Sequence, residues 1–350
     1  MKLRSGYTTG TCAAAAAMAA ARHLCDGIAP ESVEVPLPDG SRAVFAVMAS
    51  HLTTRGARAE VRKDAGDDPD VTHEARIVAE VEFIDGDGVE FVAGDGVGTV
   101  TKPGLSLAPG EPAINPVPRR MIREALREVT PSGVRVTISI PGGRELAEKT
   151  FNPRLGIVGG ISIIGTTGIV KPFSAPALTA SLKCALDVAA ASGVTAPVLV
   201  PGNIGERAAL RNFPQAEGRI VQVSNHWGFM LDEAAAEPRF ERFLVLGHPG
   251  KLAKLVDGEW DTHSSNSASA TEAVARIGRS LPGAPVLEGM TVEGIFASCP
   301  QKQVWLLGNA LAAAVHQTIS ERIGGRDFAV VLVNLAGDIL GTFGSLQSWT

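Results

Sequence analysis

Short stretches of alternating apolar and polar residues fill the first half of the chain, and this alternation is typical of strands that bury one face. Two helices are predicted among them. An alanine-rich helix over residues 12–25 has Thr11 in position to cap its first turn. A second helix begins at Pro116 and carries an apolar stripe at helical spacing as far as Val129. The predicted strands are Val33–Leu37, Val44–Ala49, Ala59–Arg62, Ile77–Phe83 and Val134–Ile140.

The second half has a different pattern, in which short continuous apolar runs end in polar loops that contain glycine. Helical stretches separate the runs. One such helix extends from Ala175 to Ser192, with Gly193 at its end. A repeated order of apolar strand, loop and helix is typical of a parallel sheet with crossover helices. The runs are Ile157–Ile164, Pro197–Pro201, Ile220–Ser224 and Phe243–Leu246, and Ala329–Val333 is predicted as a last strand.

These patterns predict a protein of mixed class, α+β in its first half and α/β in its second. We expect an N-terminal α+β two-layer domain over residues 1–150. An α/β domain with a mainly parallel sheet is expected over residues 151–350, and the family resemblance given below implies that it is Rossmann-like. Whether the last strand returns to the first domain stays open. The length of 350 residues suits two domains.

Composition and charge narrow the class of protein. Hydrophobic residues make up 45% of the chain and charged residues 20%, which is typical of globular proteins with substantial cores. The formal net charge of −5 argues against nucleic acid as a partner. The four cysteines are isolated, so neither a disulfide framework nor a zinc site is predicted, and a reducing cytoplasm fits best. No apolar run approaches the ~18 residues of a membrane span, and the N-terminal alanine run is too weakly hydrophobic for a secretion signal.

The loops of the second half are the first candidate site, because ligands bind beside the carboxyl ends of strands in open α/β sheets. Glycines there let a ligand approach backbone amides, and helix N-termini add partial positive charge. Glu206 is placed to accept ribose hydroxyls. The same glycines also suit ordinary turns, and the bare pattern does not decide between the two. The candidate residues are Gly165, Thr166, Gly168, Gly202, Asn203, Gly205 and Glu206.

Two features of the first half suit an anionic ligand. The hydroxyl-rich stretch Thr8–Thr11 opens the alanine helix, where it would either bind a carboxylate or phosphate or only cap the helix. Four arginines crowd the second helix, and guanidinium groups bind carboxylates well. An ordinary solvated face paired with Glu124 and Glu128 is the alternative. The arginines are Arg119, Arg120, Arg123 and Arg127.

Histidines in the second half are candidate general bases. His226, His248 and His263 fall in or just beyond the predicted loops, although a histidine taken alone more often has a structural role. The sequence contains no HExxH, GxSxG or Walker A motif, which leaves zinc protease, serine hydrolase and P-loop NTPase functions with little support. The acidic stretch Lys63–Thr72 lacks the spacing of an EF-hand and is predicted to be a loop.

Several blocks of the sequence carry a family resemblance. The most distinctive is Arg4–Cys12, RSGYTTGTC, which alanines follow. The other blocks are Lys63–Thr72, Gly94–Leu105, Ala113–Arg119, Asn152–Val170, Gly202–Glu206, Ser224–Gly228 and Gly247–Lys254. In this order and spacing the chain resembles the CbiD family of cobalt-precorrin-5B (C1)-methyltransferases from about residue 4 to residue 265, and more loosely beyond.

The resemblance implies an enzyme that transfers a methyl group from S-adenosylmethionine to C-1 of cobalt-precorrin-5B. The product would be cobalt-precorrin-6A, an intermediate of anaerobic cobalamin (vitamin B12) biosynthesis. It also implies one α+β and one Rossmann-like domain. Because the corrinoid substrate carries its own cobalt, no metal bound by the protein is expected.

Under this hypothesis the candidate residues divide into three groups. The loops of the second half would hold the methyl donor, and His226 or His248 would take a ring proton if a base is needed. Cationic and hydroxyl side chains would hold the acetate and propionate groups of the macrocycle, with the active site between the two domains. These substrate-binding residues are Thr8, Thr9, Thr11, Lys102, Arg119, Arg120, Arg123, Arg154 and Lys171.

Two other functions remain open at this stage. A nicotinamide-dependent oxidoreductase suits the predicted sheet, although a GxGxxG fingerprint followed by an acidic residue is not clearly present. A non-catalytic corrinoid carrier would bind the macrocycle without the methyl donor. The sequence leaves open a homo-oligomer and transient contact with neighbouring pathway enzymes.

Overall fold

The alanine-rich run near the start of the chain forms a helix that is buried on all sides. This helix, α1, spans Thr9–Asp26, and residues 13–21 are at most 1% exposed. Alanine has the highest helix propensity, and its small side chain lets neighbouring backbone come close. Thr8, and not the predicted Thr11, caps the first turn by accepting a hydrogen bond from the Thr11 amide at 3.2 Å. Gly27 ends the helix in the left-handed conformation.

The computed structural model describes residues 3–282 and 291–350 and contains two compact units, which divide between Pro176 and Ala177. The strands of the first unit are β1 (Gly6–Tyr7), β2 (Ser32–Pro36), β3 (Arg42–Ala46), β4 (Ala49–Leu52), β5 (Gly56–Arg62), β6 (Arg76–Phe83), β7 (Val89–Ala93), β8 (Gly96–Val97), β9 (Thr99–Val100), β10 (Val134–Ser139), β11 (Ile157–Val158), β12 (Gly160–Ile161) and β13 (Ile169–Val170). Its further helices are α2 (Pro116–Arg127) and α3 (Gly143–Ala147).

A five-stranded sheet and two helices form the core of the first unit. The strands lie in the order β4-β5-β6-β10-β7, and they pair antiparallel except for β10 and β7. Helix α1 packs on β5 and β6, and α2 packs on α1. The alternation of the sequence correctly predicts β5, β6 and β10, because one face of the sheet meets α1 and the other does not. It does not predict β4 and β7, whose residues are mostly exposed or half-buried.

The run Ile157–Ile164 was predicted as the first strand of the parallel sheet, and this prediction is wrong. Two glycines, Gly159 and Gly160, interrupt the run, so it forms only the short strands β11 and β12. These pair with β9 and β8, and β13 pairs with β1. The short strands within residues 151–170, which the sequence assigned to the second domain, therefore pair with strands of the first unit.

The second unit alternates strands and helices. Its strands are β14 (Val198–Val200), β15 (Ile220–Gln222), β16 (Arg242–Gly247), β17 (Asp327–Val333) and β18 (Ile339–Phe343). Its helices are α4 (Ala175–Ala191, which begins just before the division), α5 (Asn203–Asn212), α6 (Trp227–Ala236), α7 (Pro249–Leu252), α8 (Ala270–Arg279), α9 (Val292–Ser298) and α10 (Gln301–Ile323), with short 3-10 turns at Pro214–Ala216 and Ala253–Asp257.

These strands form one mixed sheet in the order β15-β14-β16-β17-β18. The first four are parallel, and β18 is antiparallel to β17. The prediction of a mainly parallel sheet is confirmed for the three apolar runs that begin at Pro197, Ile220 and Phe243, and for the last strand, which pairs with β16. Within residues 3–282 and 291–350, no helix combines the length and apolarity needed to span a membrane.

Strand order reverses at β14, which positions the candidate site. From β14 the chain passes through α5 to β15 on one side, and then through α6 to β16 on the other side. The loops that leave β14 and β16 therefore diverge. A crevice forms at such a point, at the carboxyl edge of the strands, and it is where open α/β sheets bind ligands.

Candidate functional site

The loop after β14 leaves the backbone open at one glycine and packs closely at another. A Cβ atom on Gly202 would meet nothing within 4 Å. A Cβ atom on Gly205 would lie 3.0 Å from Pro201 Cδ, so the start of α5 fits tightly against the end of the strand. A ligand can therefore approach the backbone at Gly202, where the N-terminus of α5 adds partial positive charge.

Gln222, the last residue of β15, holds both polar side chains of the first turn of α5. Its Nε2 atom donates to Asn203 Oδ1 at 2.8 Å and to Glu206 Oε2 at 2.6 Å. The Glu206 carboxylate is thus fixed beside the open backbone of Gly202. Sequence reasoning did not single out Gln222, although its place at the end of a predicted strand pointed to this edge.

The segment between β15 and α6 contains a strained residue and one of the two predicted bases. Ser224 has a φ of 55°, which is uncommon for a residue other than glycine. His226 is the N-cap residue of α6, and its backbone forms a β-bridge with Asp261. Within the described residues, the half-buried His226 imidazole makes no side-chain hydrogen bond.

His248, the other predicted base, anchors the protein's own structure. Its Nδ1 atom accepts a hydrogen bond from the Gly250 amide at 2.9 Å, which caps α7. Because Nδ1 accepts, the neutral ring carries its proton on Nε2, which lies 2.7 Å from Glu293 Oε2. Both ring nitrogens of His248 are therefore occupied by protein groups.

The hydroxyls of the threonine-rich helix start are used within the first unit. Thr9 Oγ1 accepts from the Ile164 amide at 2.9 Å, and Thr11 Oγ1 donates to the Gly168 carbonyl oxygen at 2.6 Å. Thr8 Oγ1 lies 3.0 Å from Thr11 Oγ1. All three threonines are buried. The protein's own backbone therefore occupies the groups that were predicted to hold a carboxylate.

The predicted donor-binding residues fall into two separate groups. Gly165, Thr166 and Gly168 lie beside Thr8 and Thr11 in the first unit, since residues 157–170 pair with its strands. A Cβ atom on Gly165 would lie 2.2 Å from Thr8 Oγ1. Only Gly202, Asn203, Gly205 and Glu206 belong to the loops of the parallel sheet, so the predicted set is not one cluster within a single unit.

Arg119 has a structural role in the first unit. Its guanidinium donates to the carbonyl oxygens of Ile114 at 2.7 Å and Pro112 at 3.2 Å. It also pairs with Glu111 at 2.8 Å. Two hydrogen bonds lower the pKa of Glu111, the larger effect coming from the Ala108 amide and the smaller from Arg119. These bonds fix the segment before α2 and use the guanidinium that was predicted to bind substrate.

Arg123 and Arg120 are arranged differently. The Arg123 guanidinium lies over the Phe91 ring, 4.9 Å from its centroid. Within the described residues, no carboxylate lies at ion-pair distance from Arg123. Arg120 is exposed and lies 3.9 Å from Glu124, one turn away, a surface pair that contributes little to stability. Both arginines keep the capacity to bind an anion.

The other predicted substrate cations are exposed on the first unit. The aliphatic stem of Lys102 lies against Gly156, where a Cβ atom would be 2.4 Å from Lys102 Cγ. Arg154 precedes that glycine by two residues, so the two cations lie in neighbouring segments. Lys171 directly follows β13. Within residues 3–282 and 291–350, no group of three His, Cys, Asp or Glu side chains is arranged to hold a metal ion.

Comparison with known proteins gives one matching family and relatives that carry the same name. A family model described as CbiD matches residues 1–172. A protein of Syntrophotalea carbinolica named cobalt-precorrin-5B C(1)-methyltransferase is 53% identical over 99% of both chains. A protein of the same name from Methanocaldococcus jannaschii is 41% identical over 98% of this chain and 97% of its own. A crystal structure of a cobalamin biosynthesis protein (cbiD) from Archaeoglobus fulgidus is 33% identical over 71% of this chain and 78% of that chain, with a TM-score of 0.40. The chain belongs to the CbiD family.

Proposed function

We propose that the chain transfers a methyl group from S-adenosylmethionine to C-1 of cobalt-precorrin-5B, giving cobalt-precorrin-6A. The observation that carries this proposal is the 53% identity over 99% of both chains with a protein named for that reaction. In the transfer, the bond from sulfur to the methyl carbon breaks as a bond forms from that carbon to the ring. The sulfur keeps the electron pair and leaves as a neutral thioether.

The edge of the second unit's sheet supports a donor site. A Rossmann-like arrangement binds its ligand where strand order reverses, and here that point is β14. Gly202 leaves room for a ligand against the backbone, and Gln222 holds Glu206 in position to accept hydroxyl groups of a ribose. We assign the binding of the methyl donor to Gly202, Asn203, Gly205 and Glu206.

The exposed cations of the first unit suit a macrocycle that carries many carboxylates. We assign Arg120, Arg123, Lys102, Arg154 and Lys171 to these groups, because none of them is fully buried. The buried threonines and Arg119 hold the backbone that presents these cations. The cobalt belongs to the substrate.

The chain's own contribution to the rate is mainly positioning. The sulfonium is already activated, and holding two reactants in line contributes up to ~7–11 kcal/mol in well-oriented systems. We assign any ring proton that is lost to His226. The isolated cysteines also lead us to place the enzyme in a reducing cytoplasm. The names of the relatives support neither a nicotinamide-dependent oxidoreductase nor a non-catalytic carrier.

A substitution at the open glycine tests the donor site. Gly202 has an extended backbone with φ of 163°, and a Cβ atom there would meet no protein atom within 4 Å. Gly202→Val is therefore expected to keep the melting temperature and to weaken binding of S-adenosylhomocysteine by about tenfold or more, because the side chain fills the ligand's space. Calorimetric titration measures this change.

Gly325→Val is the matched control, because Gly325 also has no neighbour within 4 Å of a Cβ atom but lies after α10. It is expected to retain full donor binding. Equal binding by the two variants would place the donor elsewhere. Incubation of the protein with labelled donor and the cobalt-loaded precursor, followed by location of the label on the ring, tests the reaction itself.

A further inference from the structure

Two lysines that follow β16 donate hydrogen bonds to neutral groups. Lys254 is 9% exposed, and its Nζ atom donates to the Thr262 carbonyl oxygen at 3.1 Å and to Ser267 Oγ at 2.8 Å. Lys251 is half-buried, and its Nζ atom donates to Asn225 Oδ1 at 2.7 Å. Burial and then the nearby charge of Lys254 lower the pKa of Lys251. The two positive charges thus lie close together.

The carboxylates that the structure describes do not compensate this pair. Within residues 3–282 and 291–350, neither Lys251 nor Lys254 has a carboxylate at ion-pair distance. The other buried lysine, Lys63, is 1% exposed and pairs with Asp70 at 2.7 Å, which is how proteins ordinarily offset the cost of removing an ammonium from water. Among the described residues the pair after β16 lacks this offset, so an external anion would gain a charge-assisted contact with Lys251 and the favourable charge of Lys254 nearby.

The pair lies at the edge where strand order reverses. Asn225 follows β15 and Lys251 follows β16, and both strands run parallel to β14. Their carboxyl ends therefore meet at the same edge as Gly202. The hydrogen bond from Lys251 to Asn225 joins the loops on either side of β14, and the strained Ser224 turns the chain into this contact.

We propose that Lys251, positioned by Asn225, binds the carboxylate of the amino-acid portion of the methyl donor, and that Lys254 adds its charge from behind. The donor carries one such carboxylate, and the open backbone at Gly202 on the same edge leaves space for the nucleoside. This inference rests on the proposed function. A carboxylate of the macrocycle is the other possible ligand of the same chemistry, and the experiment separates the two.

Two donor-related ligands separate carboxylate recognition from nucleoside recognition. S-adenosylhomocysteine carries the carboxylate, whereas methylthioadenosine has the same nucleoside and thioether without the amino-acid portion. Lys251→Met is expected to weaken the binding of S-adenosylhomocysteine by about tenfold or more, since the substitution removes a hydrogen bond to a charged group. Binding of methylthioadenosine should stay within about twofold. Lys302→Met, at an exposed lysine of α10, is the matched control and should bind both ligands as the original chain does.

Each outcome of these titrations has a distinct meaning. If Lys251→Met binds S-adenosylhomocysteine normally, or loses both ligands equally, the lysine does not recognise the carboxylate. If it binds S-adenosylhomocysteine normally but loses the cobalt-corrinoid, the carboxylate belongs to the macrocycle and the inference is overturned. If the original chain binds neither adenosine ligand, the proposed donor site fails together with the inference. The melting temperature of each variant shows whether it folds. If Lys251→Met does not fold, Lys251→Gln replaces it.

Discussion

At the scale of single residues, glycines let the start of the chain cross the 63–67 segment at backbone contact. A Cβ atom on Gly6 would lie 2.1 Å from the carbonyl carbon of Ala65. Gly66 has a φ of 70°, and a Cβ atom there would lie 2.2 Å from the Arg4 carbonyl oxygen. The first two blocks of the family resemblance, far apart in sequence, are therefore in contact. Their glycines make this crossing possible.

Gly6→Ala is expected to destabilise the protein by about 1–3 kcal/mol, because a methyl group placed against backbone forces the two segments apart. Denaturant unfolding measures the change. Gly88→Ala is the matched control, since a Cβ atom at Gly88 would meet nothing within 4 Å. It should be neutral or slightly stabilising. Equal stability of the two variants would contradict the crossing.

The Arg4–Asp64 ion pair makes the same crossing sensitive to acid. The Arg4 guanidinium, and after it the Gly66 amide, lower the pKa of Asp64 from 3.8 to about 2. A carboxylate with a lowered folded-state pKa contributes its full stability above its unfolded pKa, and this is lost as pH falls through the folded pKa. The original chain should therefore lose melting temperature between about pH 4 and pH 2 more steeply than Asp64→Asn. Asp87→Asn, in an exposed turn, should keep the steep dependence.

Arg119 and Arg123 are expected to differ although they lie one helical turn apart. Arg119→Ala removes bonds to two carbonyl oxygens and one carboxylate, which should cost about 1–3 kcal/mol of unfolding free energy. Among the described residues, the contact that Arg123→Ala loses is the one with the Phe91 ring, about 0.5–1 kcal/mol. It should nevertheless weaken corrinoid binding, with donor binding intact. Unchanged corrinoid affinity of Arg123→Ala would remove that residue from the substrate site.

At the scale of elements, α10 packs on β18 through glycine. A Cβ atom on Gly308 would lie 2.0 Å from the Leu340 carbonyl oxygen, and one on Gly341 would lie 2.1 Å from the Gly308 carbonyl carbon. Helix propensity alone predicts that Gly308→Ala stabilises the protein by up to ~1 kcal/mol. The close packing predicts the opposite sign, a loss of about 1–3 kcal/mol. Thermal or denaturant unfolding decides between the two signs.

Elements whose pattern reflects a single local environment are predictable from sequence. Alternation gives β5, β6 and β10 because one face of their sheet is buried, and the alanine run gives α1 because that helix is buried all round. The run Ile157–Ile164 was assigned to the wrong sheet, because an apolar stretch does not indicate which strand it will pair with. Its two central glycines were the available signal.

Side-chain roles at the candidate site were harder to predict than elements. Threonine hydroxyls and Arg119 suit an anion chemically, but their partners are carbonyl oxygens brought close by the fold. Gln222 and Lys251 were missed for the converse reason, since their position at the sheet edge follows only from strand order. Residue type therefore indicates what a group can bind, and the fold determines whether it is available.

At the scale of the whole molecule, donor binding should slow backbone hydrogen exchange at one edge of one sheet. Saturation with S-adenosylhomocysteine is expected to protect peptides that cover residues 198–206, 222–228 and 245–254, because binding stabilises the native loops. Strands β5 and β6 of the first unit should exchange at unchanged rates. Mass spectrometry of the exchanged protein measures both. Protection absent from all three loops would contradict a donor site at β14.

The bond from Thr11 to Gly168 joins residues that are 157 positions apart, and β1 finds its partner only in β13. A ribosome must therefore release nearly half of the chain before the opening residues can reach their final neighbours. During that interval the N-terminal end of α1, a helix whose residues 12–21 are all apolar, has no finished cover. Growing chains that stall before residue 168 should accordingly be prone to aggregate and to recruit chaperones.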